Sequence, residues 1–242
     1  MSANSHSYPI VVRGPNVLSE LLHSLSQPLT GLRCSLELSL QLPLDLSIEQ
    51  VAEQQQESVA VALEQTDRVI GMIQLMREYL DAEQPGAETV SSALAPVLRG
   101  VIDELSSIAA VRGVRLLMVG TCTATLHLSK ARLRLALQYL IATLIDTQPV
   151  GGKVILLLGE GPTGAVLRVE GECGLCDLKS VTSLQTTLRG VRIAIATLLL
   201  ESAGASLVSG DDAQCVLRIP LHTAVLPQRL KPNLEPGSLS QR

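Results

Sequence analysis

The sequence predicts an α + α/β protein: an N-terminal helical hairpin that forms a four-helix bundle in a dimer, followed by an α/β sandwich. Three observations predict this class. Leucines recur at alternating spacings of four and three residues between Leu18 and Leu36, which is typical of a helix in a bundle. The same spacing returns between Val59 and Leu80. After about residue 90, helical and strand-like patterns alternate, as in a sheet covered by helices.

The composition is that of a globular protein with an aliphatic core. The 242 residues are 46% hydrophobic and 17% charged, and only 1% are aromatic. The net charge is −4 and no basic run stands out, which argues against nucleic acid as a partner. No apolar stretch reaches the roughly 18 residues that a membrane-spanning helix needs, and no secretory signal is apparent. We therefore expect a cytoplasmic protein with no membrane partner.

The N-terminal third is predicted to hold a flexible leader, residues 1–14, and the hairpin, residues 15–82. The first helix is expected from about Pro15 to Leu42, because a proline is well placed at a helix start. The second is expected from about Ile48 to Asp81. A single hairpin offers too little surface to bury both seams, so a homodimer is expected. The alternative is a hairpin that folds back on its own C-terminal domain.

The remainder is predicted to be a linker at residues 83–90, a second domain at 91–222 and a flexible tail at 223–242. The order of helices and strands predicts a mixed sheet with helices over one face. The predicted elements are a helix at 91–111, strands at 114–119 and 124–128, a helix at 130–147, strands at 153–158 and 165–170, a helix at 191–203, and strands at 206–209 and 215–219.

A histidine and a proline lie close together on the first helix. Taking Leu22 and Leu25 as seam positions puts His23 beside the seam, so its imidazole is expected to face solvent. Pro28 lacks a backbone donor and is expected to bend the helix about one turn below the histidine. An exposed imidazole is nucleophilic at neutral pH and is a good phosphoryl acceptor. The simpler alternative is a solvated histidine on a leucine-rich helix.

The segment HSLSQPLTGL at residues 23–32 resembles the H box of the dimerisation and phosphotransfer domain of histidine kinases. The matching residues are His23, Leu25, Pro28, Leu29, Thr30 and Leu32. Ser24 stands where the family has a carboxylate that serves as general base in autophosphorylation, and a serine hydroxyl is a poor base. Gln27 resembles the amide that some kinases have at this position, and it equally fits an ordinary solvated helix residue.

The order of the second domain resembles the ATP-binding (Bergerat) domain of the same kinases. Residues 133–156 lie over the asparagine box, where Pro149, Gly151 and Gly152 match. Tyr139 and Thr143 occupy the two asparagine positions, and the second asparagine would bind the magnesium of the nucleotide. A threonine hydroxyl is a poor substitute for that carboxamide. Asp146 is a conceivable replacement, although it also fits a solvated residue at a helix end.

The two glycine boxes of that family are degenerate in this chain. The position of the adenine-reading aspartate falls on Gly171, or on Glu172 after a shift of one residue. The second box keeps Gly190 in a turn expected to open a helix, but it has Arg192 at the second glycine, where a side chain would crowd the phosphates. Residues 177–187 are short for an ATP lid. These departures together predict a lost ATP site.

The resemblance therefore implies phosphotransfer without autokinase activity, as in dimeric histidine phosphotransferases. His23 would accept a phosphoryl group from the aspartate of a response-regulator receiver and pass it to another receiver. Four residues on the same helix face would contact the receiver, namely Ser19, Ser26, Gln27 and Thr30. The chain would need no cofactor or metal of its own, because the receiver supplies Mg²⁺. A histidine kinase is a further possible partner.

Two alternatives stay open at this point. One is an ATP-dependent histidine kinase with a divergent nucleotide pocket, against which Ser24 and Thr143 count. The other is a non-enzymatic dimeric adaptor that binds a receiver or a kinase. The five cysteines, an odd number, do not form a disulfide framework. Cys173 and Cys176 make one C-x-x-C pair, a weak signal for a metal or redox site because two further zinc ligands are missing.

Overall fold

The computed structural model describes residues 8–9, 17–40, 48–84, 90–161, 164–170, 184–209 and 215–220. Helix α1 (Val17–Leu40) and helix α2 (Ile48–Glu83) form the N-terminal hairpin. The helices pack along their length and bring Gly31 against Gln65, where a Cβ added to the glycine would lie 3.4 Å from Gln65 Cγ. The hairpin predicted from the leucine spacing is therefore present.

Only part of each predicted seam is buried within the hairpin. On α1, Leu18, Leu25 and Leu32 are partly buried. The alternate seam leucines remain in solvent, with Leu22 60%, Leu29 49% and Leu36 49% exposed. On α2 the corresponding exposed side chains are Val59, Ile73 and Leu80. Each helix therefore has one apolar face on its hairpin partner and a second apolar face that the described residues leave exposed.

In the described residues, the second domain contains eight main elements and two short strands. They are β2 (Ser92–Ala93), α3 (Leu94–Val111), β3 (Arg115–Gly120), β4 (Thr125–Leu126), α4 (Lys130–Thr147), β5 (Lys153–Gly161), β6 (Gly164–Glu170), α5 (Leu184–Ser202), β7 (Ser206–Ser209) and β8 (Cys215–Pro220). A short strand β1 (Tyr8–Pro9) precedes the hairpin. The predicted sequence of helices and strands is confirmed in its order.

The main sheet has the order β1-β7-β8-β6-β5-β3, and only β3 and β5 run parallel. Its inner face packs on α3, α4 and α5 in one aliphatic core. Along β5, Val154, Leu156 and Leu158 are buried while the residues between them are partly exposed, which is the period of a sheet with one covered face. The predicted mixed sheet with helices on one face is confirmed.

Three predicted features are wrong in detail. Tyr8 and Pro9, assigned to a flexible leader, pair with β7 and so supply hydrogen-bonding partners to an edge strand. β4 pairs with β2 and not with the main sheet. The β2 backbone runs directly into α3, and the Leu94 amide at the start of α3 donates a hydrogen bond to the Ala124 carbonyl beside β4. α5 begins at Leu184 instead of residue 191. Gly190 is tolerated inside the helix, so α5 can begin before it.

The hairpin also packs on the second domain. Val17 and Leu21 of α1, and Leu75, Tyr79 and Ala82 of α2, are buried in the same apolar cluster as the core of that domain. The folding-back arrangement is thus present at this end of the hairpin, although the second apolar faces of α1 and α2 stay exposed. None of the helices in the described ranges has both the length and the apolar character required to cross a membrane.

Candidate functional site

His23 lies on the solvent side of α1. Its side chain is exposed, as the position beside the seam predicts, while Leu21 two residues earlier is fully buried against the second domain. Pro28, one turn further along, is buried. The accessible imidazole is therefore placed directly beside the contact between the hairpin and the second domain.

The four predicted docking residues share this exposed surface. Ser19, Ser26, Gln27 and Thr30 are all exposed on α1. The Thr30 hydroxyl donates a hydrogen bond of 2.7 Å to the Ser26 carbonyl, which occupies its proton but leaves oxygen lone pairs free to accept. The exposed side chains that share the His23 face are thus small and polar, apart from the longer amide side chain of Gln27.

The antiparallel register places one stretch of α2 level with His23. Gly31 lies against Gln65, and both helices rise about 1.5 Å per residue. His23 lies eight residues before Gly31 on α1, and Ile73 lies eight residues after Gln65 on α2. His23 is therefore level with Ile73. The neighbouring residues of α2 line a cleft that faces the second domain.

Tyr139, at the first asparagine position, contacts the hairpin. Its phenol donates a hydrogen bond to the carboxylate of Glu78 on α2. Burial, followed by the hydrogen bond and the charge of Glu78, raises the pKa of Tyr139 well above its usual value. The phenol therefore remains a neutral hydrogen-bond donor at physiological pH. The Arg192 guanidinium carbon lies 6.0 Å from the centre of the ring, within the range of a cation–π interaction.

Asp146 is fixed between two arginines. Its carboxylate is 2.8 Å from Arg112 at the end of α3 and 3.6 Å from Arg192, and its side chain is only 16% exposed. Arg189 donates a hydrogen bond of 3.0 Å to the Asp146 carbonyl. A carboxylate near a helix C-terminus is disfavoured by the helix dipole, and the two guanidinium groups offset that effect. The prediction of a solvated helix-end residue is wrong, and the carboxylate is not free to replace a magnesium ligand.

Two further nucleotide-box residues, Thr143 and Gly190, lie in the described part of the chain. Thr143 is 0% exposed, and its hydroxyl has no hydrogen-bond partner among the described residues. A metal ion could not reach it without opening the core. Gly190, expected in a turn that opens a helix, lies inside α5 because that helix starts earlier. Gly171, Glu172, Cys173, Cys176 and most of the predicted lid segment are outside the described residues.

A cleft of about 570 Å³ opens between the hairpin and the second domain. It is lined from α2 by Arg68, Gly71, Met72, Gln74 and Leu75, from α4 by Tyr139 and from α5 by Leu188 and Arg192. Two nucleotide-box positions therefore border a space that is shared with the helix beside His23. In the described ranges, no group of three or more histidine, cysteine or acidic side chains is placed to hold a metal ion.

Sequence reasoning missed three residues of this region. Glu78 and Arg68 on α2 look like ordinary solvated residues of a long helix, and Arg112 looks like a helix end. Two of them have partners far away in the chain, since Glu78 meets Tyr139 and Arg112 meets Asp146. Arg68 pairs with Glu64 on its own helix and lines the cleft. Only the packing of the hairpin on the second domain, and of α3 on α4, brings these groups together.

Among known structures, the likeness to one histidine kinase supports the architecture. The histidine kinase AdeS of Acinetobacter baumannii has a TM-score of 0.60 and 14% identity, over 83% of this chain and 98% of that one. A histidine kinase from Burkholderia phymatum STM815 has a TM-score of 0.46 and 16% identity, over 82% and 95% of the two chains. No protein-family model and no curated protein matches the sequence. The likeness to AdeS covers both parts of the chain, the hairpin and the α/β domain. The chain therefore has a histidine kinase-like fold, in which a helical hairpin of the dimerisation and phosphotransfer type precedes a domain of the ATP-binding type.

Proposed function

We propose that this protein is a histidine phosphotransferase of a two-component or phosphorelay pathway, and that it relays phosphoryl groups through His23 without autokinase activity. One observation carries the proposal. The exposed His23 sits in an H-box match on a histidine kinase-like fold, while Tyr139, Thr143 and Arg192 are engaged in packing where a nucleotide would need ligands.

The reaction requires only an accessible imidazole and a correctly placed donor. A ring nitrogen of His23 attacks the phosphorus of an aspartyl phosphate on a receiver domain, so a P–N bond forms and the P–O bond to the aspartate breaks. The aspartate leaves as a carboxylate, and the reverse reaction passes the group to a second receiver. The receiver's own Mg²⁺ neutralises charge on the transferred group. Ser19, Ser26, Gln27 and Thr30 would contact the receiver around the histidine.

The proposal includes a homodimer. The uncovered faces of α1 and α2 repeat with a spacing of seven residues at Leu22, Leu29 and Leu36, and at Ile73 and Leu80. This is the spacing with which helices pack in bundles. A second copy of the same hairpin offers a matching apolar face, and four helices would then bury both seams.

The decisive experiment is phosphoryl transfer from a phosphorylated receiver domain with Mg²⁺. We expect the wild-type chain to acquire an acid-labile phosphate that is stable in alkali, as phosphohistidine is. His23→Gln should abolish it. The matched control is His127→Gln, because His127 is also exposed but lies in the second domain beside Ser91; this variant should accept phosphate at the wild-type rate.

The same preparation distinguishes the two alternatives. Labelling of His23 from Mg²⁺–ATP alone, or nucleotide binding at micromolar concentration in calorimetry, would show a working kinase with a divergent pocket. A chain that binds the receiver but never becomes phosphorylated would be an adaptor. The first result is not expected, because Thr143 is buried in the core and Asp146 is already paired with two arginines. The second is not expected, because the His23 side chain is exposed.

A further inference from the structure

The residues at the nucleotide-box positions join the second domain to the hairpin. The Tyr139 phenol reaches across the boundary to the Glu78 carboxylate of α2. Behind it, Arg192 lies over the tyrosine ring and pairs with Asp146. We name this connected set, Glu78, Tyr139, Arg192 and Asp146, the Tyr139 bridge. It is partly buried, so its hydrogen bonds and charge pairs are screened by water less than surface pairs are.

Two further contacts fix the same boundary. The Arg132 guanidinium donates a hydrogen bond of 2.6 Å to the Asp81 carbonyl and a weaker one of 3.4 Å to the Gln84 carbonyl, where α2 ends. Leu75 and Tyr79 of α2 are buried in the apolar core of the second domain. The bridge is thus set in an interface with apolar and polar contacts, and it gives that interface one defined orientation.

We propose that the Tyr139 bridge holds the second domain on α2 in a fixed orientation, so that Tyr139, Glu78 and Arg192 are positioning residues for phosphotransfer at His23. This inference rests on the proposed function. It assigns a role to residues at the nucleotide-box positions. They would hold the second-domain surface beside His23, on which the receiver docks, in one orientation.

The geometry near His23 explains why the orientation matters. Val17 and Leu21 of α1 are buried against the second domain, and Leu21 is only about 3 Å along the helix axis from His23. A folded domain of receiver size is about 30 Å across. A receiver that delivers its aspartate to His23 therefore extends over the adjoining surface of the second domain. A platform that is already ordered binds more tightly, because less conformational freedom is lost on docking.

A conservative pair of tyrosine substitutions tests the bridge. Tyr139→Phe removes only the hydroxyl that reaches Glu78. Tyr79→Phe is the matched control, because the Tyr79 hydroxyl bonds to Glu83 on its own helix and does not cross the boundary. By hydrogen–deuterium exchange, Tyr139→Phe should exchange about tenfold faster in α2 residues 68–83 and at the facing part of α4, the factor expected for the loss of a hydrogen bond to a charged group. Exchange in β5 and β6 should not change.

Transfer kinetics with the receiver used above test the positioning role. Tyr139→Phe should raise KM for the phosphorylated receiver about tenfold and leave kcat within about twofold, because docking and not bond formation is affected. Glu78→Gln keeps a weaker acceptor for the phenol and should shift KM in the same direction by less. Tyr79→Phe should match the wild type.

Two results would overturn the proposal. The first is an exchange pattern of Tyr139→Phe equal to that of Tyr79→Phe, which would show that the bridge does not fix the boundary. The second is a fall in kcat at unchanged KM, which would place Tyr139 in the chemical step. A wild-type chain that accepts no phosphoryl group would refute the proposed function and with it the positioning role, whereas the exchange measurement reports on the bridge independently of activity.

Discussion

At the scale of single residues, several polar side chains around Tyr139 and Asp146 are paired with one another. Asp146 pairs with Arg112 and Arg192, and Tyr139 pairs with Glu78. Two atoms of this region have no partner in the described part of the chain, the buried hydroxyl of Thr143 and Nε of Arg192. A buried polar group without a hydrogen bond destabilises the folded state. Thr143 is therefore a source of instability.

Thr143→Val should stabilise the protein. The substitution removes the unpaired hydroxyl and keeps the branched shape, so the free energy of unfolding should rise by about 1 kcal/mol. Urea denaturation measures this quantity. Thr147→Val is the matched control on the same helix, because the Thr147 hydroxyl donates a hydrogen bond of 2.9 Å to the Leu144 carbonyl. Loss of this bond should lower the free energy of unfolding. A clear destabilisation by Thr143→Val would mean that its hydroxyl has a partner in solution.

Alkaline titration should separate the tyrosines. Burial and a hydrogen bond to Glu83 raise the pKa of Tyr79, and burial and Glu78 raise the pKa of Tyr139. The folded state therefore favours both neutral phenols. The resulting stability is complete below the unfolded-state pKa of about 10 and is lost as the pH rises through the higher folded-state values. Tyrosinate absorbance should show Tyr79 and Tyr139 ionising late, and Tyr139→Phe should remove one of these two phenols. Unchanged late ionisation in that variant would contradict the assignment.

The contacts of these residues could not be predicted from the sequence. The resemblance to an asparagine box predicts that Thr143 is a poor substitute for the magnesium-binding asparagine, and this stays a prediction. It could not indicate that Glu78 receives the tyrosine hydroxyl, because the two residues belong to different domains. Asp146 was equally hard to assign, since its arginine partners come from α3 and α5. The helical period did predict that His23 is exposed, because this exposure depends only on the position of His23 relative to the seam of its own helix.

At the scale of elements, periodicity predicted the type and order of the helices and strands. α4 has the predicted bounds, and β5 and β6 lie where alternating apolar residues indicate them. The start of α5 was placed too late, because Gly190 was assigned to a turn by its resemblance to a glycine box. The separate pairing of β2 with β4 could not be foreseen, since two-residue strands have no period to detect.

Gly190→Ala should therefore stabilise α5. Gly190 lies in the helix interior, and a Cβ built there would meet no atom within 4 Å. Alanine at such a position should raise the free energy of unfolding by about 0.5–1 kcal/mol. Thermal unfolding monitored by circular dichroism provides the measurement. A loss of stability would indicate that Gly190 lies in a turn and not in the helix.

Gly120→Ala provides a contrasting control in the same domain. Gly120 has φ +87°, and a Cβ there would lie 2.1 Å from the Leu158 carbonyl oxygen of the neighbouring strand. The backbone conformation alone should lower the free energy of unfolding by about 1–3 kcal/mol, and the clash should add to this. The two glycines should thus respond in opposite directions.

At the scale of the whole molecule, the hairpin has two sets of neighbours. One end of it is buried on the second domain through Leu21, Leu75 and Tyr79. The apolar faces that remain exposed are long and regular, and large uncovered patches of this kind usually mark interaction sites. The proposed dimer places these faces together and leaves the side of α1 that bears His23 accessible to a receiver.

Leu29→Glu should convert the proposed dimer to a monomer. Because a two-fold interface contains Leu29 of both copies, the substitution removes two leucines from it. Each leucine contributes about 1.5–3 kcal/mol, so the dissociation constant should rise at least about a hundredfold. Leu38→Glu is the matched control, because Leu38 is also an exposed leucine of α1 but lies on the opposite side of the helix. Sedimentation equilibrium measures both. Equal dissociation constants for the two variants would refute the proposed interface.

The hydrogen bond between Tyr139 and Glu78 also gives the protein a built-in optical signal. The chain has no tryptophan and three tyrosines, so tyrosine fluorescence is not masked by energy transfer to an indole. A carboxylate that accepts the hydrogen bond of a phenol quenches its emission by taking up the proton in the excited state. Separation of the second domain from α2 should therefore make the unlabelled protein brighter, so its tyrosine emission reports whether the bridge is intact.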